Sequence, residues 1–263
     1  MQSTIITCLL FISFSCFGQF NMRMLMAGHD AVPEHFSHMG IIEVIQHEYT
    51  AAQNGDSVVK LNLRGTCMVL YNKDGYMFSK TEAYSANPRE TYLKEFFRVT
   101  CTYDSMNTML TREENGSYGG RCYTTYSYHR FDNGVLVQRK STQVWGNITN
   151  QIIERYNDIG KLVSQEWLDS GKVVSRLVYV YDKAGDVKID SEISNMGGPL
   201  VMAHKYDKHH NVIEDKQLSD DLGVPYIRYE YTYNEDDLWT KRIMYADGKP
   251  QYIDELEYIK DSK

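Results

Sequence analysis

An aromatic residue followed by Asp or Asn recurs through this chain at near-constant spacing, and no other feature limits the possible folds as much. The anchors are Tyr71-Asn72, Tyr103-Asp104, Phe131-Asp132, Tyr156-Asn157, Tyr181-Asp182, Tyr206-Asp207 and Tyr233-Asn234, separated by 32, 28, 25, 25, 25 and 27 residues. A second turn signal lies 15 to 17 residues after each anchor: Ala86-Asn87-Pro88, Gly119-Gly120, Gly146, Gly171, Gly197-Gly198, Gly223 and Gly248. Fixed periods of this size mark repeat architectures. Asp or Asn after the aromatic can bond the backbone two residues on and start a turn. The Gly or Asn three or four residues later supplies a positive φ. His210, Asn107 and Asp237 stand where other units have Gly.

Between turns lie runs of about eight to ten residues, the length of a long strand. Many alternate. Tyr229, Tyr231 and Tyr233 share one parity, and Arg228, Glu230 and Thr232 the other. Leu177, Tyr179 and Tyr181 do the same, with Val178 and Val180 filling the opposite lane, which predicts strands buried on both faces. One repeat is therefore two antiparallel strands, and seven repeats give about fourteen strands in a meander. The segment Ile41 to Tyr49, followed by the turn at Gln53 to Asp56, predicts an opening hairpin. A sheet this wide twists and tends to curl or split. The expected fold class is all-β: tandem hairpin repeats forming a long coiled sheet or a β-solenoid-like spiral. The 21 Tyr and only 5 Pro agree with a β-rich chain.

Residues 1–18 carry no charge, and the apolar stretch Ile5 to Phe17 has signal-peptide length, too short to span a bilayer. Cleavage is expected between Gly18 and Gln19. The alternatives are a buried N-terminal element, or lipidation at Cys16. Residues 19–40 read as a flexible lead-in, and 41–263 as a single repeat domain. Cleavage leaves Cys67, Cys101 and Cys122 on different strands, read as small buried thiols and not as a disulfide framework or zinc site. The chain is 42% hydrophobic with a mean hydropathy of −0.48, which describes a soluble chain after signal removal, with no membrane span. Its 35 acidic against 28 basic residues exclude a nucleic-acid partner, because phosphate binding needs clustered Lys and Arg.

The stretch Tyr229 to Arg242 (YEYTYNEDDLWTKR), with the pattern Y-x-Y-[DN]-x-x-[GN], resembles the YD-repeat or RHS-repeat family. It is most similar to short secreted members of Bacteroidetes type, over roughly residues 41–260. MORN-type repeats have a similar length, with a Gly-rich pattern that fits less well. The resemblance implies an extracellular or envelope-associated repeat protein. The toxin role of large members is not expected here, since the last repeat runs to Lys263. The family offers no catalytic residues.

The chain has none of the GxSxG, HExxH, Walker A, GxGxxG or CxxC patterns, so no catalytic residue, metal ligand or cofactor is assigned and the chain is not expected to be an enzyme. Two His/Asp clusters have ligand-type residues: His29, Asp30, Glu34, His35 and His38, better explained as a solvated tail, and His204, Asp207, His209 and His210, partly at a turn tip. Calcium at Asn72/Asp74 or Asp182/Asp186 lacks the spacing of a calcium loop. Trp145, Trp167 and Trp239 are candidates for stacking on sugars, against the alternative that they pack the sheet. Asp56-Ser57-Val58 and Asp104-Ser105-Met106 resemble O-glycosylation sites of Bacteroidetes, and Asn115 and Asn147 head N-glycosylation sequons. The expected function is a binding or scaffold module, secreted, periplasmic or at the cell envelope, whose partner is an envelope protein or a surface glycan. A carbohydrate-binding module and, more distantly, a hydrolase with an unrecognised site are the alternatives.

Overall fold

The computed structural model describes residues 32–84, 94–105, 108–116, 121–130, 136–145, 148–194, 197–218 and 226–261. The expected signal peptide, Cys16, His29, Asp30, Asn107, Phe131 and four of the second turn signals lie outside them. A helix, α1 (Val32–Met39), leads into β1 (Ile41–Asn54) and β2 (Ser57–Tyr71). There follow β3 (Met77–Tyr84), β4 (Lys94–Tyr103), β5 (Met109–Gly116), β6 (Arg121–Arg130), β7 (Leu136–Trp145), β8 (Ile148–Tyr156) and β9 (Leu162–Asp169). The chain continues through β10 (Lys172–Tyr181), β11 (Val187–Ser194), β12 (Gly197–Tyr206), β13 (Val212–Gln217), β14 (Ile227–Tyr233), β15 (Trp239–Ala246) and β16 (Lys249–Lys260).

Every strand pairs antiparallel with its sequence neighbours, and β1 also pairs with β16, so the sheet closes into a 16-strand barrel. This corrects the open coiled sheet or solenoid expected from the repeat. The seam runs from Ile41 opposite Lys260 to Thr50 opposite Tyr252. Closure removes both edge strands, whose unpaired backbone groups would otherwise need water or a partner.

The anchors form one end of the barrel. Asn72 accepts bonds at its Oδ1 from the backbone N–H of Asp74 (3.0 Å) and Tyr76 (2.9 Å), while Gly75 N–H donates to Asn72 O. Asn157, Asp182, Asp207 and Asn234 repeat this arrangement. The fourth turn residue is left-handed in each: Gly75, Gly160, Gly185, His210 and Asp237, with φ between 59° and 92°. A register shift precedes the anchor aromatic in each of these hairpins, the extra residue of a bulge. The turns are also laced sideways. Lys161 Nζ donates to Gly185 O, His210 faces Asp186 at 2.9 Å, Asn211 donates to Tyr233 Oη, and Lys260 pairs with Asp236.

The opening hairpin is present, with Gly55 at positive φ. Gly171 and Gly248 likewise turn the chain at the other end, whereas Gly197-Gly198 begins β12 and is not itself the turn. Residues 32–39, within the stretch expected to be a flexible lead-in, are helical, and Phe36 is buried edge-on against Tyr71 (ring centroids 5.0 Å) and Tyr258 (6.3 Å). Ser37 Oγ donates to Lys73 O, so α1 is tied to the anchor-turn end.

Candidate functional site

Alternation gives the wall two faces, and burial says which is inside. Val44, Val69, Val99, Cys101, Thr124, Leu177, Met202, Tyr229, Asp254 and Leu256 are buried and share the inward parity. On the opposite parity Ile253 and Ser164 are also buried, but most residues there are exposed or half-buried. At the anchor end the inward face is apolar, joining Phe36, Ile41, Val44, Cys67, Val69, Tyr71, Met77, Val99 and Leu256 in one cluster. Tyr hydroxyls lace the same level: Tyr103 donates to Met77 O, Tyr128 to Met109 O, Tyr181 to Leu162 O, Tyr206 to Val187 O, Tyr231 to Val212 O and Tyr258 to Trp239 O, at 2.6–3.0 Å. A buried hydroxyl needs such a partner, which explains Tyr where Phe would otherwise serve.

Further from the anchors the inner face carries paired charges. Arg242 donates from Nε (2.9 Å) and Nη2 (2.6 Å) to Asp254 Oδ2, and Gln46 donates to its Oδ1 (2.9 Å). Arg139 grips Glu154, and Lys80 pairs with Glu82. His204 donates from Nδ1 to Asp215 Oδ1 at 2.6 Å and has Asp190 3.5 Å from Nε2. Burial works against the His204 imidazolium, but the hydrogen bonds to Asp190 and Asp215 outweigh it and hold its pKa at about 9. Glu48 lies across the seam from Asp254, and burial first, then the Asp254 charge, push its carboxyl up to about 6. Burial pushes the Cys67 thiol up to about 12, so it is a packing group and not a nucleophile. Cys67, Cys101 and Cys122 are free, on alternate strands.

The outer face is mixed. Leu61, Met68, Phe78, Val180 and Ile193 are exposed, which corrects the reading that Val178 and Val180 mark a strand buried on both faces. Between them stand ion pairs: Arg176 with Glu166 at mid-strand, Glu166 also meeting Arg155 from the end of β8, and, with their cations nearer the strand ends, Lys205 with Glu214, Arg228 with Glu230, and Lys60 with Glu255. A lipid-facing barrel instead carries an apolar band about 25 Å tall, where each Arg or Lys at the midplane costs about 2–4 kcal/mol. Among the described residues no helix is long and apolar enough to cross a membrane, a statement that leaves strands untouched.

The structure separates most of the sequence candidates. His204 faces the lumen, while Asp207, His209 and His210 stay in their turn, with His209 stacked on Tyr233 at 4.2 Å and Tyr233 donating to Asp207. Asn72 and Asp182 spend their carbonyl and carboxylate oxygens on turn N–H groups. Trp239 packs against the core cluster, edge-on to Tyr231 at 5.9 Å. Trp167 is half-buried in β9, and the side chain of Trp145, like those of Glu34 and His35, lies outside the described residues. The inward ion pairs escaped sequence reading, although Arg242 and Asp254 sit on the same parity as the tyrosines opposite them.

These two faces define a closed, all-antiparallel β-barrel whose inner wall is apolar at the anchor end and carries buried charge pairs beyond it. The fold is shared with a porin-like protein of Bacteroides uniformis, 12% identical, with a TM-score of 0.54 over 85% of this chain and 97% of that one. The Tc holotoxin pore of Photorhabdus luminescens also matches, 14% identical over 80% of this chain and 14% of that one, but its TM-score of 0.27 carries no argument. No protein-family model matches the chain, and no curated protein is detectably similar in sequence. The YD-repeat resemblance is thereby overturned: the chain closes into a 16-strand barrel, a fold it shares with that porin-like protein. The aromatic–Asp motif that suggested it is accounted for by the side-chain-capped hairpin turn that recurs along one rim.

Proposed function

We propose that this chain is a non-enzymatic barrel of the bacterial envelope that stands in water and acts by binding, as a scaffold or adaptor. The observation that carries the reading is the charge on the outer wall, above all the mid-strand pair of Arg176 with Glu166, which Arg155 joins from the end of β8. Placing Arg176 in hydrocarbon would cost about 2–4 kcal/mol, and the cations nearer the strand ends less. The inner charges point the same way, because they are buried and paired with one another along the wall. The expected leader at residues 1–18 fits an exported chain, and the porin-like fold fits an envelope location. The fold likeness favours a second reading, an outer-membrane channel.

Vesicle flotation separates the two. The full chain, expressed with its leader and purified without detergent, is mixed with liposomes of bacterial lipid and centrifuged through a density gradient. The proposal expects a folded monomer that stays in the aqueous fractions. A chain that needs detergent, floats with the vesicles and opens conductance steps is a channel.

A further inference from the structure

One row of the outer wall differs from the rest. Thr102, Thr111, Thr125, Thr142, Gln151 and Leu168 are successive cross-strand partners from β4 to β9, and the row carries no charge. Their outward direction follows from their neighbours, since Cys101, Thr124 and Ser141 are buried. Thr102 and Thr111 bond each other at 2.6 Å. The side chains of Thr125, Thr142 and Gln151 make no hydrogen bond within the described residues. The row ends in an open cavity of about 370 Å³, lined by Gln151 and Leu168 with Thr149, Ser170 and Gly171. A second row, Tyr123, Val144 and Thr149, runs beside it into the same cavity, with Tyr123 42% and Val144 41% exposed, and Glu113, paired with Arg121, bounds its far end.

We propose that this row and cavity bind a neutral, linear, β-linked hexose chain laid across the strands. The proposal rests on the binding role argued above and names its ligand class. Neighbouring strands are about 4.8 Å apart, close to the advance of one sugar along such a chain, so successive side-chain hydroxyls and the Gln151 amide meet successive sugars in register. The absence of charge along the row selects a neutral chain, since an acidic one would bring carboxylates against groups that cannot neutralise them. Lys140 and Glu166 on the next row bound the footprint. The exposed Tyr123 ring supplies a stacking face, and Leu168 an apolar floor.

Calorimetric titration of the full chain tests this with hexamers of β-1,4-glucose, β-1,3-glucose and β-1,4-mannose, and a galacturonate hexamer as the acidic arm. The expected result is saturable binding of at least one neutral hexamer. It should weaken about tenfold in Thr125→Val and in Gln151→Ala, and stay unchanged in Lys60→Gln, all with the wild-type thermal transition. No binding by any neutral hexamer, binding of the acidic hexamer alone, or binding indifferent to both substitutions overturns the proposal. In those cases, specific recovery of an envelope protein by the same chain keeps the binding role, whereas insertion into vesicles removes it.

Discussion

Glu48 faces Asp254 across the closing seam, and replacing it by Gln gives a signed, pH-dependent prediction. Its carboxyl rises from the usual 4.5 to about 6, through burial and then the Asp254 charge, with Arg64 and Arg242 partly opposing. Asp254 is already engaged by Gln46 and Arg242, so nothing at the seam shields the two carboxylates completely. A carboxyl whose folded pKa is raised binds its proton more tightly in the folded state. Its stabilising contribution is fully present below pH 4.5 and is lost as pH rises through 6. A rise from 4.5 to about 6 is worth about 2 kcal/mol. Glu48→Gln should therefore be near neutral at pH 4 and stabilise the barrel by about 2 kcal/mol at pH 8, raising Tm by roughly 5 °C. Urea unfolding of both proteins across pH 4–8 reads the difference directly and cancels the other carboxylates. A substitution that destabilises at pH 8 would show that Arg64 and Arg242 hold Glu48 as a favourable anion, and the reasoning would fail.

Asp254→Ala leaves the Arg242 guanidinium buried and unpaired and should cost about 3–5 kcal/mol by chemical denaturation, whereas Lys60→Gln on the exposed pair should cost less than about 1 kcal/mol. His204, raised from 6.5 to about 9, contributes stability that is whole below pH 6.5 and lost as pH climbs through 9; a wild-type unfolding profile with a fall there that His204→Gln lacks is the expected reading. Asp237→Gly removes the strain of a left-handed non-glycine turn residue and should stabilise by about 0.5–1 kcal/mol, and Gly160→Ala, at φ 80°, should destabilise by about 1–2 kcal/mol. Tyr206→Phe removes the bond to Val187 O and should cost about 1 kcal/mol.

The hairpin was legible because its signals are local. Asp182 and Gly185 lie three residues apart and act on each other directly, and the Tyr229, Tyr231 and Tyr233 lane states the pleat outright. Closure was not legible, because it depends on contacts such as Gln46 to Asp254, 208 residues apart, with no local mark on either strand. The left-handed His210 and Asp237 read as departures from the pattern, yet both occupy the glycine position, as short polar residues can. The direction of the faces was half-legible. The Tyr lanes marked one parity, but nothing local set Arg242 and Asp254 apart, and His204 read as one of a His/Asp cluster until their partners on adjacent strands came into view. The uncharged row is invisible in sequence, since Thr102, Thr111, Thr125 and Thr142 align only once the register is known.

The central claim is that the tyrosine and ion-pair face is a sealed core while the mixed face meets water. Hydroxyl-radical footprinting of the protein in native envelope preparations, read by mass spectrometry, tests it most directly. The account predicts oxidation of Met68, Phe78 and Tyr123 on the outer wall, and protection of Met77, Met202 and Tyr229 inside. The opposite pattern, with the outer residues shielded by lipid and the inner ones labelled through an open lumen, would contradict it.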